Sequence, residues 1–402
     1  MKKSVVHAVE MIKPGGGPSG YVFNLHQAFQ KRGLLGGAVD TYFQGSSEDR
    51  VTGFGEISKA RKLHSYLPFV GAGLTLRLIT GRQIRMYWKQ ALDPAVVEAL
   101  KPYPAVVFHS VRMAARYMQS VPKNGQKIHV MLHPPANLAV EMVENWQGRY
   151  GHTGYAQTAI SRMAQLELDT YLSCDGVVTM TKLGLHAYFD FDPAMRDAFM
   201  NRATFHEIPS GVPPLMPTKT AAQMRQETNV PADAFIVGFF GRFHPHKGFD
   251  IFLDAVKKAH EKKLPVHFVC AGSGSIVPPA DLPNLTNLGW RRDIAEVVNM
   301  VDLVAVPNRV AALDFLALES MSIGKPILAS GLGGNEFLAS TTGGVKLFKP
   351  VTSDAMLSEI EKIDRSTAVE MGAANKAAYD QHYNVQAFVD RHLALAEKLL
   401  SN

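Results

Sequence analysis

The sequence predicts an α/β protein of two domains, each a parallel sheet covered by helices on both faces. Short apolar runs alternate with helical patterns along the whole chain, as parallel sheets with crossover helices require. The alternation is broken from Pro209 to Asp233, where PSGVPPLMPTK supplies four prolines in quick succession, a composition that marks a boundary. The length of 402 residues, at about 150 per domain, allows two or three domains.

Before the break, SVVHAVEM reads as the first strand and YVFNLHQAFQKRG as the helix after it. AVDTYF, AVVFHS, KIHVML, DGVVTM and ATFHEIP read as further strands, with TKLGLHAYF helical after DGVVTM. After the break the pattern restarts with strand FIVGFFG and helix FDIFLDAVKKAHEKK. Strands HFVCAG, LTNLGW and LVAVP follow, then a helix around LALESMSIG and strands PILAS and GGVKLF. Residues 353–383 and 385–400 close the chain with helical patterns. Two Rossmann-like halves are expected, with ligands at the carboxyl ends of the strands facing a cleft between them.

Composition excludes several classes. Cys174 and Cys270 lie 96 residues apart, which rules out a disulfide scaffold and a Cys-based zinc site and fits a reducing, cytoplasmic compartment. The opening MKKSVVHAVEMIKPGGG has no A-x-A cleavage site and reads as a first strand, not a signal peptide. The longest apolar candidate, Leu67–Leu76, is about half the span of a bilayer, so no membrane crossing is expected. Net charge is +6, and it is unevenly placed: residues 1–205 hold 23 Lys+Arg against 15 Asp+Glu, and residues 206–402 hold 19 against 21.

Glycines punctuate the strand ends. Gly15, Gly17 and Gly20 satisfy G-x-G-x-x-G and Asp40 follows 20 residues after Gly20, so a dinucleotide site must be weighed. Pro18 has no N–H to offer an anion, and no Lys-Ser/Thr pair follows. The loop is either a tight strand-to-helix turn or a substrate-facing loop. In GFFGRFHPHKGFD, Gly241-Arg242 ends a strand and Lys247-Gly248 opens a helix. A guanidinium fork, an ammonium and a helix N-terminus converging there suit a diphosphate. His244 and His246 form H-x-H without a third ligand; they read as spacers, and no metal site is expected. Further on, a strand ends at Pro307, a loop runs to Leu313, a helix carries Glu319 and closes at Gly324, and a second Gly-rich turn spans Gly331–Gly334.

In this order, Gly241-Arg242, Lys247-Gly248, the Pro307 loop, LALESMSIGKPILAS and Gly333-Gly334 resemble the donor half of family 4 (group 1) glycosyltransferases of the GT-B fold, of the bacterial cell-surface glycan type. The first half agrees more loosely, through the Gly15–Gly17 loop, the strand ending at His109, LHPP with His133, and VVTMTKLGL before IPSGV. The resemblance implies an acceptor-binding domain over residues 1–208 and a nucleotide-sugar domain over 209–383, with a last helix, about 384–402, packing back on the first. It implies retaining, metal-independent transfer from a UDP- or GDP-type sugar to a glycan or lipid-linked acceptor, in polysaccharide or lipopolysaccharide biosynthesis, with no cofactor.

Residue by residue, the resemblance makes Arg242 and Lys247 the cations on the diphosphate and Glu319 the partner of the ribose hydroxyls. Trp290 would border the base. Gly16, Gly17, Gly241, Phe315, Leu316, Gly333 and Gly334 would belong to the donor site, with Gly333-Gly334 offering N–H groups. His133 would lie near the donor sugar and acceptor hydroxyl, or be a satisfied structural histidine. The family's second glutamate, eight residues before the one matching Glu319, is replaced by Ala311. Either Asp314 takes its place, or the donor sugar is an uncommon one, or transfer is impaired; Asp314 reads equally well as a helix N-terminal acid.

Residues 57–92 carry Lys59, Arg61, Lys62, Arg77, Arg82, Arg85 and Lys89 with no acid, among apolar and aromatic residues. This suits an anionic membrane surface on the inner face, or packed helices with a solvated basic face. No nucleic-acid motif accompanies it, so nucleic acid is not an expected partner. Two rivals stand beside the transferase: an NAD-dependent oxidoreductase using Gly15–Gly20 and Asp40, and a catalytically degenerate GT-B partner protein.

Overall fold

The computed structural model describes residues 3–15, 17–46, 81–82, 84–122, 125–133, 154–188 and 193–401. Gly16, Lys59, Arg61, Lys62 and Arg77 lie outside the described residues. The chain packs as two compact units: Met1–Met180, Ala187–Ile208 and Val389–Asn402 form the first, Thr181–His186 and Pro209–Phe388 the second.

The described elements of the first unit are β1 (Val5–Ile12), α1 (Gly17–Lys31), β2 (Val39–Ser46), α2 (Pro94–Leu100), β3 (Ala105–Phe108), α3 (Val111–Ser120), β4 (Lys127–Leu132), α4 (Gly154–Ser173), β5 (Gly176–Thr179), α5 (Pro193–Arg202) and β6 (Phe205–Glu207). Its strands form one parallel sheet in the order β2-β1-β3-β4-β5-β6. All of β3 and β5 is buried, because helices cover both faces of such a sheet and leave no place for alternating polar residues. Asp93 and Ser110 cap α2 and α3 by accepting from Ala95 N and Met113 N, which satisfies amides with no intrahelical partner.

The second unit contains α6 (Ala221–Glu227), β7 (Phe235–Phe243), α7 (Phe249–Glu261), β8 (Val266–Gly274), β9 (Leu285–Asn287), α8 (Ile294–Asn299), β10 (Leu303–Val306), α9 (Phe315–Ser322), β11 (Ile327–Ser330), α10 (Gly333–Thr341), β12 (Val345–Phe348), α11 (Ser353–Ile360) and α12 (Arg365–Ala378). The order β12-β11-β10-β7-β8-β9 is again parallel throughout. Phe239, Phe243, Phe249, Phe252 and Phe268 fill the core between β7, β8 and α7, with Phe243 stacked on Phe249 at 4.0 Å between ring centroids. Each fully buried Phe contributes about 1.5–3 kcal/mol.

Several boundaries differ from those expected. The helical pattern at 353–383 is two helices, because Asp364 caps a new one by accepting from Thr367 N at 2.7 Å. The proline-rich break holds α6, which begins with a capping box between Thr220 and Gln223. TKLGLHAYF forms a 3-10 run, Lys182–Tyr188, and residues 181–186, expected in the first domain, pack with the second. The cause lies at Gly184, where an added Cβ would sit 3.0 Å from Ala312 Cα; the absence of a side chain allows that approach. The last helix, α13 (Val385–Ser401), divides at Phe388/Val389 instead of near 384. Its later turns are tied to the first unit by Arg32–Asp390 at 2.8 Å and by Lys127 Nζ donating to Leu399 O at 2.7 Å.

Candidate active site

In the second unit β7 lies between β10 and β8, so the chain leaves β7 toward one side of the sheet and later returns on the other. Loops part at such a switch point, and the carboxyl ends of its two strands border a crevice suited to ligands. The end of β7 carries Arg242, the loops after β7 and β10 carry Lys247, Asn308 and Asp314, and the loop after β11 opens α10 at Gly333-Gly334.

These loops are tied together. The ammonium of Lys247 donates to Asp314 Oδ2 at 2.7 Å and Asn308 Nδ2 donates to the same oxygen at 3.0 Å. Asp314 Oδ1 accepts from Leu316 N at 3.0 Å, capping α9. Burial opposes ionisation of Asp314, but the Lys247 charge and these hydrogen bonds outweigh it and hold the carboxyl below its usual range. Arg309 grips both oxygens of Asp250 at 2.6 Å and donates from its backbone to His246 O at 2.9 Å. Gly248, at φ +67°, lies against Pro307, whose carbonyl a Cβ would overlap; this position needs glycine for both reasons.

The β11 turn is fixed in the same way. Gly334 N donates to Ala311 O at 2.9 Å, and a Cβ on Gly334 would overlap the Ala312 carbonyl. Asn335 Nδ2 donates to Ser330 O and Oγ at 3.1 and 3.0 Å, and Ser330 Oγ donates to Asn308 O. Ala311 is therefore a small residue wedged under a helix N-terminus, 2% exposed.

The other candidates fall into place around this frame. Arg242 is exposed at the end of β7, beside Gly241 at φ +142°. Glu319 is half-buried on α9, as Phe315 and Leu316 are. Its charge is one of the influences, after burial and Asp380, that raise the Tyr379 hydroxyl pKa above its ordinary value. Trp290 is 45% exposed, with the Arg292 guanidinium 5.6 Å over its ring. His244 caps the short turn Pro245–Lys247 by accepting from His246 N at 3.2 Å, a structural use for the first histidine of H-x-H.

The matching model is that of the glycosyl transferases group 1 family, and it covers residues 234–364, which contain Arg242, Lys247, Trp290, Asn308, Asp314, Glu319 and Gly333-Gly334. By this match residues 234–364 of the second unit are similar to the group 1 glycosyltransferases. The chain is 23% identical over 227 residues to a lipopolysaccharide 1,2-N-acetylglucosaminetransferase of Salmonella typhimurium, covering 45% of this chain and 57% of that protein. It is 29% identical over 175 residues to a D-inositol 3-phosphate glycosyltransferase of Mycobacterium marinum, covering 41% and 36%. The matched stretches thus span about half or less of these relatives. Among solved structures, a sucrose-phosphate synthase from Thermosynechococcus elongatus aligns with TM-score 0.65 at 17% identity over 99% of both chains. WaaG, a glycosyltransferase involved in lipopolysaccharide biosynthesis, aligns with TM-score 0.59 at 13% identity over 98% of this chain and 99% of that one. These likenesses show the GT-B fold of two Rossmann-like domains.

In the first unit Gly17 opens α1 at φ +75°, and a Cβ on Gly20 would overlap Gly15 O, so the glycines make a tight strand-to-helix turn. Asp40 does not accompany them as a ribose partner. It stands at the amino end of β2, accepting from Tyr103 Oη at 2.6 Å and from Thr41 N at 2.9 Å, whereas ligands of such sheets bind at the carboxyl ends. The NAD reading loses its acidic residue on that ground. His133 is buried at the end of β4 with Nε2 2.7 Å from His109 Nδ1.

Arg82 and Arg85 are exposed, while Ile84 and Trp88 between and beyond them are buried, Ile84 against Met163. At these positions the apolar residues serve the unit's own core and the cations face solvent. No described helix is long and apolar enough to cross a membrane.

Sequence reasoning missed Asn308, the Arg309–Asp250 clamp and the direct Lys247–Asp314 pair. The first signal was available as a polar residue following an apolar strand and proline, VAVPN. The pair was not, because its partners are 67 positions apart.

Proposed function

We propose that the chain is a retaining, metal-independent glycosyltransferase that takes a sugar from a nucleoside diphosphate bound at the carboxyl ends of β7, β10 and β11. The observation that carries this is Lys247, held by Asp314 at 2.7 Å next to the exposed Arg242 strand end and two helix N-termini. An ammonium has three donors; among the described residues one is spent on Asp314, which leaves two for phosphate oxygens. Arg242 supplies a second cation, and Gly333-Gly334 supply helix N-terminal amides, where the dipole favours negative charge. Fixed cations stabilise charge on the leaving diphosphate without reorganising during the reaction. Glu319 binds the ribose hydroxyls and Trp290 borders the base. Asp314, with both oxygens engaged, positions Lys247, and with Ala311 in place of the family's second glutamate the donor sugar is an uncommon one.

A UDP-type donor is favoured because a structural neighbour, Anabaena HepE, is described in complex with UDP-glucose. The acceptor is a glycan or lipid-linked molecule of cell-surface polysaccharide or lipopolysaccharide assembly, reached from the cytoplasm at the inner face of the membrane. This reading is supported by the Salmonella relative and by the positive first half of the sequence.

Thermal shifts with UDP, GDP, ADP and NAD(H), followed by hydrolysis or transfer with the best-binding sugar nucleotide, identify the donor. Lys247→Ala and the exposed-site variant Arg242→Ala should each lower turnover at saturating donor by about 10²–10³-fold. Near-wild-type turnover in both would sink the assignment, and stabilisation by NAD(H) alone would favour the oxidoreductase.

A further inference from the structure

Four histidines and a tyrosine gather in the core of the first unit, on β1, β3, β4, α1 and α13. His7, His109, His133 and His392 are 0%, 1%, 6% and 0% exposed. Three of them are linked in series across adjacent strands. His7 Nδ1 lies 3.0 Å from His109 Nε2, and His109 Nδ1 lies 2.7 Å from His133 Nε2. The backbone sets this spacing: His109 N donates to Ala8 O at 2.8 Å, extending β3 alongside β1, and His133 directly follows β4. Tyr21 Oη and His392 Nε2, 2.8 Å apart, close the cluster on the side of α1 and α13.

A neutral imidazole has one N–H and one lone pair. Because His109 uses both nitrogens, one must donate and the other accept, so the two bonds run in the same sense. Running inward from His133, the chain ends in an N–H on His7 Nε2. Running outward, it ends there in a lone pair. His7 Nε2 is buried and has no hydrogen-bond partner among the described residues. In the backbone, orphaned buried N–H groups are rarer than under-satisfied acceptors, and by the same measure the outward sense is preferred, because it avoids an orphaned buried N–H on His7.

We infer that His7, His109 and His133 form a one-way donor chain that fixes His133 as its Nδ1–H tautomer, making the end of β4 a hydrogen-bond donor and not a proton acceptor. Burial keeps the rings neutral: the His7 and His133 pKa values are pushed down to about 3, and that of His109 well below its ordinary value. His7 and His109 are thus positioning residues that act through His133. Resting on the glycosyltransferase reading, the consequence is that His133 donates to an oxygen of the donor sugar or acceptor and does not serve as the base that takes the acceptor's proton.

The test is long-range proton–nitrogen correlation of the ¹⁵N-histidine-labelled full chain near neutral pH. Signals are assigned by their loss in His7→Phe, His109→Phe and His133→Phe. All three rings are expected to show pyrrole-type Nδ1 and pyridine-type Nε2. A pyrrole-type Nε2 on His133 would overturn the inference. In His7→Phe, which removes the ring with the unpartnered nitrogen and so disturbs the core least, the two His133 nitrogen shifts should move toward each other as the sense is released. Unmoved shifts in that folded variant would show that His7 does not set the tautomer. The spectra need neither donor, acceptor nor turnover, so failure here leaves the transferase reading standing, and failure of that reading leaves this result intact.

Discussion

Lys247 illustrates how a neighbouring carboxylate can fix a cation in place, here for the phosphates of the proposed donor. Its side chain is only partly exposed, at 32%, and the bond to Asp314 Oδ2 occupies one of the three donors of the ammonium. The buried histidines of the first unit make the opposite case, of titratable groups kept neutral. His7 and His133 titrate near 3 when folded and at about 6.5 when unfolded. Below about pH 6.5 the unfolded chain binds the extra protons, so the stability these rings contribute is full above that pH and is lost as pH falls toward 3. The slope is about 1.4 kcal/mol per pH unit for each such ring. The depressed carboxyl of Asp314 gives way only below its ordinary value of 3.8, so the decline between about pH 6.5 and 5 belongs to histidine. Denaturant midpoints should fall over that interval, less steeply in His7→Phe, and a flat profile would contradict the burial-driven shifts.

At the scale of elements, the crevice at the ends of β7, β10 and β11 depends on three loops approaching more closely than side chains allow. Gly334 rests against the Ala312 carbonyl and Gly248 against Pro307, whereas an added Cβ at Gly343 would meet nothing within 4 Å. Gly334→Ala should therefore destabilise the fold by about 1–3 kcal/mol, as overpacking does, because the atom in the way is backbone. Gly343→Ala should stay within about 0.5 kcal/mol of wild type, as surface changes do. Equilibrium denaturation of the two variants checks the contrast; equal effects would mean the turn after β11 is not locked to the loop after β10.

For the whole molecule, charge placement matters more than its total. The first 205 residues hold 23 cations against 15 acids and the rest hold 19 against 21. Among the described residues of the basic stretch, Arg82, Arg85 and Lys89 face solvent while Ile84 and Trp88 are buried, which favours electrostatic attraction over insertion there. Each cation near an anionic surface contributes about 1 kcal/mol. Sedimentation with phosphatidylserine-containing vesicles should show binding at low salt that is lost at high salt. Binding that ignores salt would contradict the electrostatic reading, and no binding at either would retire the membrane proposal.

Much of this protein follows from local pattern. Apolar runs such as AVVF and LVAV, short and bounded by turn residues, read as buried strands, and glycines at strand ends announce turns, so both sheets, the break at Pro209 and the strand ends and helices that carry Arg242, Lys247, Glu319 and Gly333-Gly334 were legible. The alternatives left open at Asp314 and His133 were not, because each depends on partners far away in sequence. Asp314 reads from sequence either as a donor contact or as a helix N-terminal acid; only the meeting of the β7 and β10 loops makes it the anchor of Lys247. His7 and His109 look like stray polar residues within apolar strands until the order β1-β3-β4 places them in series. Residue type and spacing determine what each segment can do alone. Which nitrogen faces which, and which carboxylate holds which cation, is decided by sheet order, because hydrogen bonds join atoms about 3 Å apart in space whatever their separation along the chain.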